Sequence, residues 1–139
     1  MKEESFILWE NTDFKIITPS NPHTPQKEGV HLVVLPKKQI ASVWEDIETG
    51  GKAFMLAGRV CKTLKRLNFG DWFNLQANGN WGLHPGKKPL FHIHIYARIK
   101  ESDTWGKPVK LPDLPGTFQH EPMSQEDISL LTKALKDDL

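Results

Sequence analysis

In the stretch PLFHIHIYAR, residues 89–98, apolar and polar side chains alternate. Alternate side chains of a β-strand point to opposite faces, so Phe91, Ile93, Ile95 and Ala97 share one face and His92, His94 and Tyr96 the other. A strand so patterned asks for a sheet with its apolar face packed on a core. The two imidazoles and the phenol then line one cleft, spaced about 6.5 to 7 Å apart along the strand.

The rest of the chain supplies that sheet. SFILWE and FKIIT read as short strands joined at NTD, a turn sequence, and so as an opening hairpin. PSNPHTPQKEG is an irregular loop, and the β-branched run VHLVVLP, closed by Pro36, is a central buried strand. KAFMLAGRVCKTLKRL places Phe54, Ala57, Cys61, Leu64 and Leu67 at three- and four-residue steps and predicts an amphipathic helix. DWFNLQA is a further strand, linked to the histidine strand by NGNWGLHPGKK. ESDTWGKPVKLPDLPGTFQHEP reads as a long surface excursion. In the last helix Ser124 is the N-cap and Ile128, Leu131 and Leu135 share a face.

The length, 139 residues, suits one domain spanning 1–139, large enough to bury a core without staples. Its single cysteine, Cys61, sits in the helical pattern as a buried, inert thiol. The amino end has neither a signal-peptide pattern nor an apolar run long enough to span a membrane, so a cytoplasmic protein is expected. With 18 basic and 17 acidic residues, composition does not imply nucleic-acid binding.

Three readings of the polar face stand side by side. It could be simply solvated. It could hold a metal through the His92/His94 pair, with a third ligand from His84, His31 or His120. Or one imidazole could act as nucleophile or base beside an anion-binding loop; Gly79, Gly82, Gly86, Lys87 and Lys88 supply such a loop immediately upstream.

HIHIYAR, preceded by NGNWGLHPGKKPLF, resembles the histidine triad (HIT) superfamily, whose signature is His, apolar, His, apolar, His, apolar, apolar. GVHLVVLPKKQI resembles the family's other recurrent segment, and the first helix lies between the two in the expected order. The resemblance covers about residues 6–98.

The resemblance implies an α+β, HIT-like fold: an antiparallel sheet of about five strands with two main helices. It also implies a nucleotide substrate, no cofactor, and frequent homodimers. The implied reaction is hydrolysis or nucleotidyl transfer at the α-phosphate of a dinucleoside polyphosphate or nucleoside phosphoramidate. Matched position by position, His94 is the central histidine and would form a nucleotidyl-histidine intermediate. His92 would support it, and Tyr96 stands at the third position. Asn78 matches the phosphate-binding Asn of the preceding strand, with Asn80 competing. Lys87, Lys88 and His84 would meet the phosphates or leaving group, and Asn21 the ribose. A module that binds nucleotide with weak or lost catalysis is the alternative that Tyr96 raises.

Overall fold

The structure, a computed structural model, describes residues 5–82, 88–112 and 117–139. Five strands, β1 (Ser5–Glu10), β2 (Phe14–Pro19), β3 (His31–Pro36), β4 (Trp72–Gln76) and β5 (Ile93–Arg98), form one antiparallel sheet in the order β1-β2-β3-β5-β4. Two helices, α1 (Ile47–Arg66) and α2 (Gln125–Asp138), cover one face. The α+β architecture expected from the sequence is the one observed.

The covered face is the apolar one. Leu8, Phe14, Ile16, Leu32, Val34, Ile93, Ile95 and Ala97 pack in a single core with Ala53, Leu56, Ala57, Val60 and Leu64 of α1 and Leu131 and Leu135 of α2. Burying such side chains contributes about 1.5–3 kcal/mol each, which fixes the register: a one-residue slip in β5 would turn His94 and Tyr96 into this core. The opening hairpin turns at Asn11, whose side-chain oxygen accepts from the Asp13 and Phe14 backbone N–H groups at 2.9 and 2.7 Å.

Two details of α1 differ from the periodicity reading. The helix begins at Ile47, because Asp46 caps it by accepting from the Thr49 N–H at 3.1 Å. Gly50, ahead of the periodic run that starts at Lys52, is there for packing: a Cβ would stand 2.3 Å from Val43 Cγ2. The buried stripe is also rotated relative to expectation. Ala53, Leu56, Val60 and Leu64 face the core, while Phe54 is 38% exposed. Cys61 is partly buried against the core, and desolvation pushes its thiol up to about 11, as suits an inert thiol. In α2, Ser124 Oγ accepts from the Asp127 N–H as the sequence suggests.

Candidate functional site

The polar face of β5 is not solvated. His94 is 6% exposed and Tyr96 fully buried. Register explains who their neighbours are: across β5, Tyr96 faces His31 and His94 faces Val33 on β3, while Gln76 of β4 faces His94 on the other side. The loop between β2 and β3 then folds back over this row and brings the His23 ring to within 4.4 Å of the His31 ring and 5.0 Å of the His94 ring, centre to centre.

That fold-back depends on a glycine. Gly29 adopts φ +133°, and a Cβ there would lie 1.8 Å from the Ala97 carbonyl oxygen. Beyond it, the Ala97 N–H donates to the Val30 carbonyl at 3.0 Å, and Thr18 Oγ1 donates to the His31 carbonyl at 2.9 Å. The loop is held from outside by the segment before α2. Asn21 Nδ2 donates to the Phe118 carbonyl, Asn21 Oδ1 accepts from the His120 N–H, and His120 Nδ1 donates to the Pro22 carbonyl.

Hydrogen bonds assign a tautomer to each ring, since a neutral imidazole has one N–H and one lone pair. The His23 backbone N–H donates to His31 Nδ1 at 3.1 Å, so the proton of His31 is on Nε2. That Nε2–H donates to His94 Nδ1 at 2.8 Å, which leaves the proton of His94 on its own Nε2. His92 is the reverse case. Its Nδ1–H donates to the Leu90 carbonyl at 2.8 Å, so its lone pair is on Nε2. The half-exposed His92 ring meets the His94 ring edge-on at 4.7 Å. Neighbouring rings on this face thus carry a lone pair on one Nε2 and an N–H on the other.

Burial keeps the inner rings neutral. Desolvation, then the neighbouring imidazoles, lowers His23 to about 4 and His94 to about 3, and drives the almost wholly buried His31 well below the ordinary histidine value. Desolvation also raises the Tyr96 phenol, which stays protonated.

No protein-family model and no curated protein matches the sequence. Solved structures do. A histidine triad (HIT) protein from Sinorhizobium meliloti 1021 superposes with a TM-score of 0.70 at 18% identity, over 97% of this chain and 90% of that one. A hypothetical histidine triad nucleotide-binding protein from Sulfolobus tokodaii strain7 gives 0.61 at 20% identity, over 97% and 83%. A HIT family hydrolase from Clostridium thermocellum gives 0.50 at 24% identity, over 71% and 84%. This chain has the histidine triad fold. The resemblance read from its two sequence segments and the fold agree.

Within the HIT fold the sequence candidates fare differently. His92, His94 and Tyr96 come together as the alternation requires. Asn78 is partly buried just beyond β4, with Nδ2 3.5 Å from Gln76 Oε1, while Asn80 and Lys88 are exposed. His84 and Lys87 lie outside the described residues. Asn21 is a clamp: both ends of its carboxamide hold backbone groups of the Phe118–His120 segment. The imidazole cluster with metal-ligand spacing is not the His92/His94 pair of the sequence reading. The nitrogens of His23, His31 and His94 do lie within 4.8 Å of one another, but the His31 lone pair already accepts from His23, and that of His94 from His31. Two residues escaped the sequence reading. His23 sits in a Pro-rich loop with no periodicity to mark it, and Gln76 is evident only from register.

Proposed function

We propose that this protein is a nucleotidyl hydrolase or transferase that cleaves at the α-phosphate of a dinucleoside polyphosphate or nucleoside phosphoramidate through a nucleotidyl-histidine intermediate. The observation that carries the proposal is the His92 ring: its Nδ1–H is anchored on the Leu90 carbonyl, and the Nε2 lone pair is available to attack phosphorus. His94 is the complementary group, a neutral ring offering Nε2–H to a phosphate oxygen.

These tautomers favour His92 over His94 as the nucleophile, with a consequence for the signature. Counted with His92 as the central histidine, the motif runs Leu90, Phe91, His92, Ile93, His94, Ile95, Tyr96, and every apolar position holds an apolar or aromatic residue. Leu90, not Tyr96, then occupies the variant triad position, and it is 46% exposed. Asn78, Asn80 and Lys88 remain our candidates for holding phosphate oxygens.

The reaction needs no cofactor in this reading, and its partner is the nucleotide. We place the protein in the cytoplasm on sequence grounds; among the described residues no helix is long and apolar enough to cross a membrane. A second copy would find an apolar seat on the outer side of α1, where Ile47 and Met55 are 75% and 72% exposed, and along the edge strand β4, where Trp72 is 65% exposed.

The test is mononucleotide release from a phosphoramidate and a dinucleoside polyphosphate by wild type, His92→Ala and His94→Ala. Loss of turnover in the first variant, and a fall of about 10²-fold or more in the second, are expected. Unchanged turnover in His92→Ala contradicts the mechanism. Nucleotide binding by a wild type without turnover would instead mark a binding module.

A further inference from the structure

His23 brings one more imidazole to this face from outside the sheet. It is not a strand residue and owes its place to the β2–β3 loop, which the Asn21 and His120 contacts pin to the segment before α2. Its Nδ1 lies 2.8 Å from the Tyr96 hydroxyl, and the Phe118 ring stands edge-on to it at 5.9 Å. Unlike His31 and His94, which are 2% and 6% exposed, His23 is only partly buried.

Among the described residues His23 Nδ1 is the hydrogen-bond partner of the Tyr96 hydroxyl. The phenol can donate to an Nδ1 lone pair or accept from an Nδ1–H, so the pair is hydrogen-bonded in either tautomer of His23. A hydroxyl can serve either state of the imidazole: it donates to the neutral ring, and it turns to accept from Nδ1–H once the ring takes up a second proton. A backbone carbonyl in that place could only accept.

Position completes the argument. His92 precedes His94 along the chain with its ring centre 4.7 Å from that of His94, whereas His23 comes from the β2–β3 loop, bonded to the hydroxyl of Tyr96, the residue that follows His94 on the same face, with its ring centre 5.0 Å from that of His94. In-line displacement at phosphorus requires the attacking and leaving groups on opposite sides. A phosphoryl group held by the His94 Nε2–H would have both of these imidazoles at hand, one to attack and one to serve the leaving side.

We propose that His23 is the acid that protonates the leaving group, a role that rests on the nucleotidyl-transfer reading above. As the His92 Nε2–phosphorus bond forms and the bond from phosphorus to the leaving atom breaks, imidazolium His23 gives its Nε2 proton to that atom and becomes neutral. In the second half-reaction water attacks phosphorus, the phosphorus–His92 bond breaks, and the water proton returns to His23. The charge of the bound phosphates favours the imidazolium, and Tyr96 accommodates it.

The test uses two substrates that differ in their need for an acid: an AMP phosphoramidate of a primary amine, and the 4-nitrophenyl ester of AMP, whose leaving group departs as a stable anion. Wild type should turn over both. His23→Gln should lose about 10²–10⁴-fold on the phosphoramidate and stay within a few-fold of wild type on the nitrophenyl ester. Tyr96→Phe, which keeps the ring and removes its partner, should show a smaller loss with the same leaving-group dependence, and near-UV circular dichroism checks that both variants are folded. Equal losses on the two substrates, or wild-type turnover of the nitrophenyl ester alone, would overturn the role of His23. Inertness of wild type toward both would instead sink the nucleotidyl-transfer reading itself.

Discussion

His31 Nε2 and His94 Nδ1 are 2.8 Å apart, and a backbone N–H from His23 occupies the other nitrogen of His31. Main-chain geometry in one loop thereby dictates where the proton of a buried imidazole two strands away resides. ¹⁵N NMR of the histidine rings should find His31 and His94 as Nε2–H tautomers and His92 as Nδ1–H. His31→Leu leaves His94 Nδ1 buried without its donor, so the denaturant midpoint should fall by an amount equivalent to about 1–3 kcal/mol, and the uniform His94 tautomer should be lost. A His94 that keeps Nε2–H in that variant would contradict the relay.

Stability should depend on pH in a direction the buried rings determine. In the unfolded chain His23 and His94 take up protons near pH 6.5, but the folded forms stay neutral down to about 4 and about 3, and His31 behaves likewise. Between these limits the unfolded state holds more protons, so the contribution is complete above pH 6.5 and is lost as pH falls through 5 toward 3. Unfolding near pH 5 should take up about three protons from these rings. Denaturation followed from pH 7.5 to 4.5 should show a midpoint that declines with acid; a flat profile would mean the rings are not buried neutral.

Gly29→Ala should cost more than any surface substitution, about 2–4 kcal/mol, because the new Cβ meets the Ala97 carbonyl in a backbone conformation that disfavours side chains. Turnover measured where the variant is still folded should fall as well, since lifting the loop removes the His23 N–H from His31. Activity retained alongside lost stability would show that the loop does not govern the site.

Leu90→His and Tyr96→His distinguish the two ways of laying the signature on β5. The Leu90 side chain is half-exposed, and the backbone carbonyl that anchors His92 is retained on substitution, so Leu90→His should fold normally and keep turnover within a few-fold. Tyr96 is fully buried and bonded to His23, so Tyr96→His should lower both stability and turnover. A gain of activity in Tyr96→His would restore the reading in which Tyr96 fills the third histidine's place.

The sheet was legible because its patterns are local. Alternation in β5 separated Ile93 and Ile95 from His94 and Tyr96, and the β-branched run from His31 to Leu35 marked the central strand. Ser124 announced α2, while Asp46 was masked by the two glycines that follow the α1 cap. What the sequence did not disclose is long-range. His23 joins the cluster because Gly29 allows the loop to lie against Ala97, and Asn21 serves as a clamp because Phe118 and His120, far along the chain, come to it. No periodicity encodes either event. The protonation of each ring is likewise set by contacts between elements, which is why the resemblance put the nucleophile at His94 while our proposal, drawn from the hydrogen bonds, puts it at His92.

The central claim is tested most directly by trapping the intermediate. Wild-type protein mixed with a labelled nucleoside phosphoramidate, quenched within the first turnover and digested under conditions that preserve phosphorus–nitrogen bonds, should yield one labelled peptide spanning residues 89–98, with mass-spectrometric fragmentation placing the nucleotidyl group on His92. A label on His94, or rapid turnover with no labelled peptide at any quench time, would contradict the mechanism.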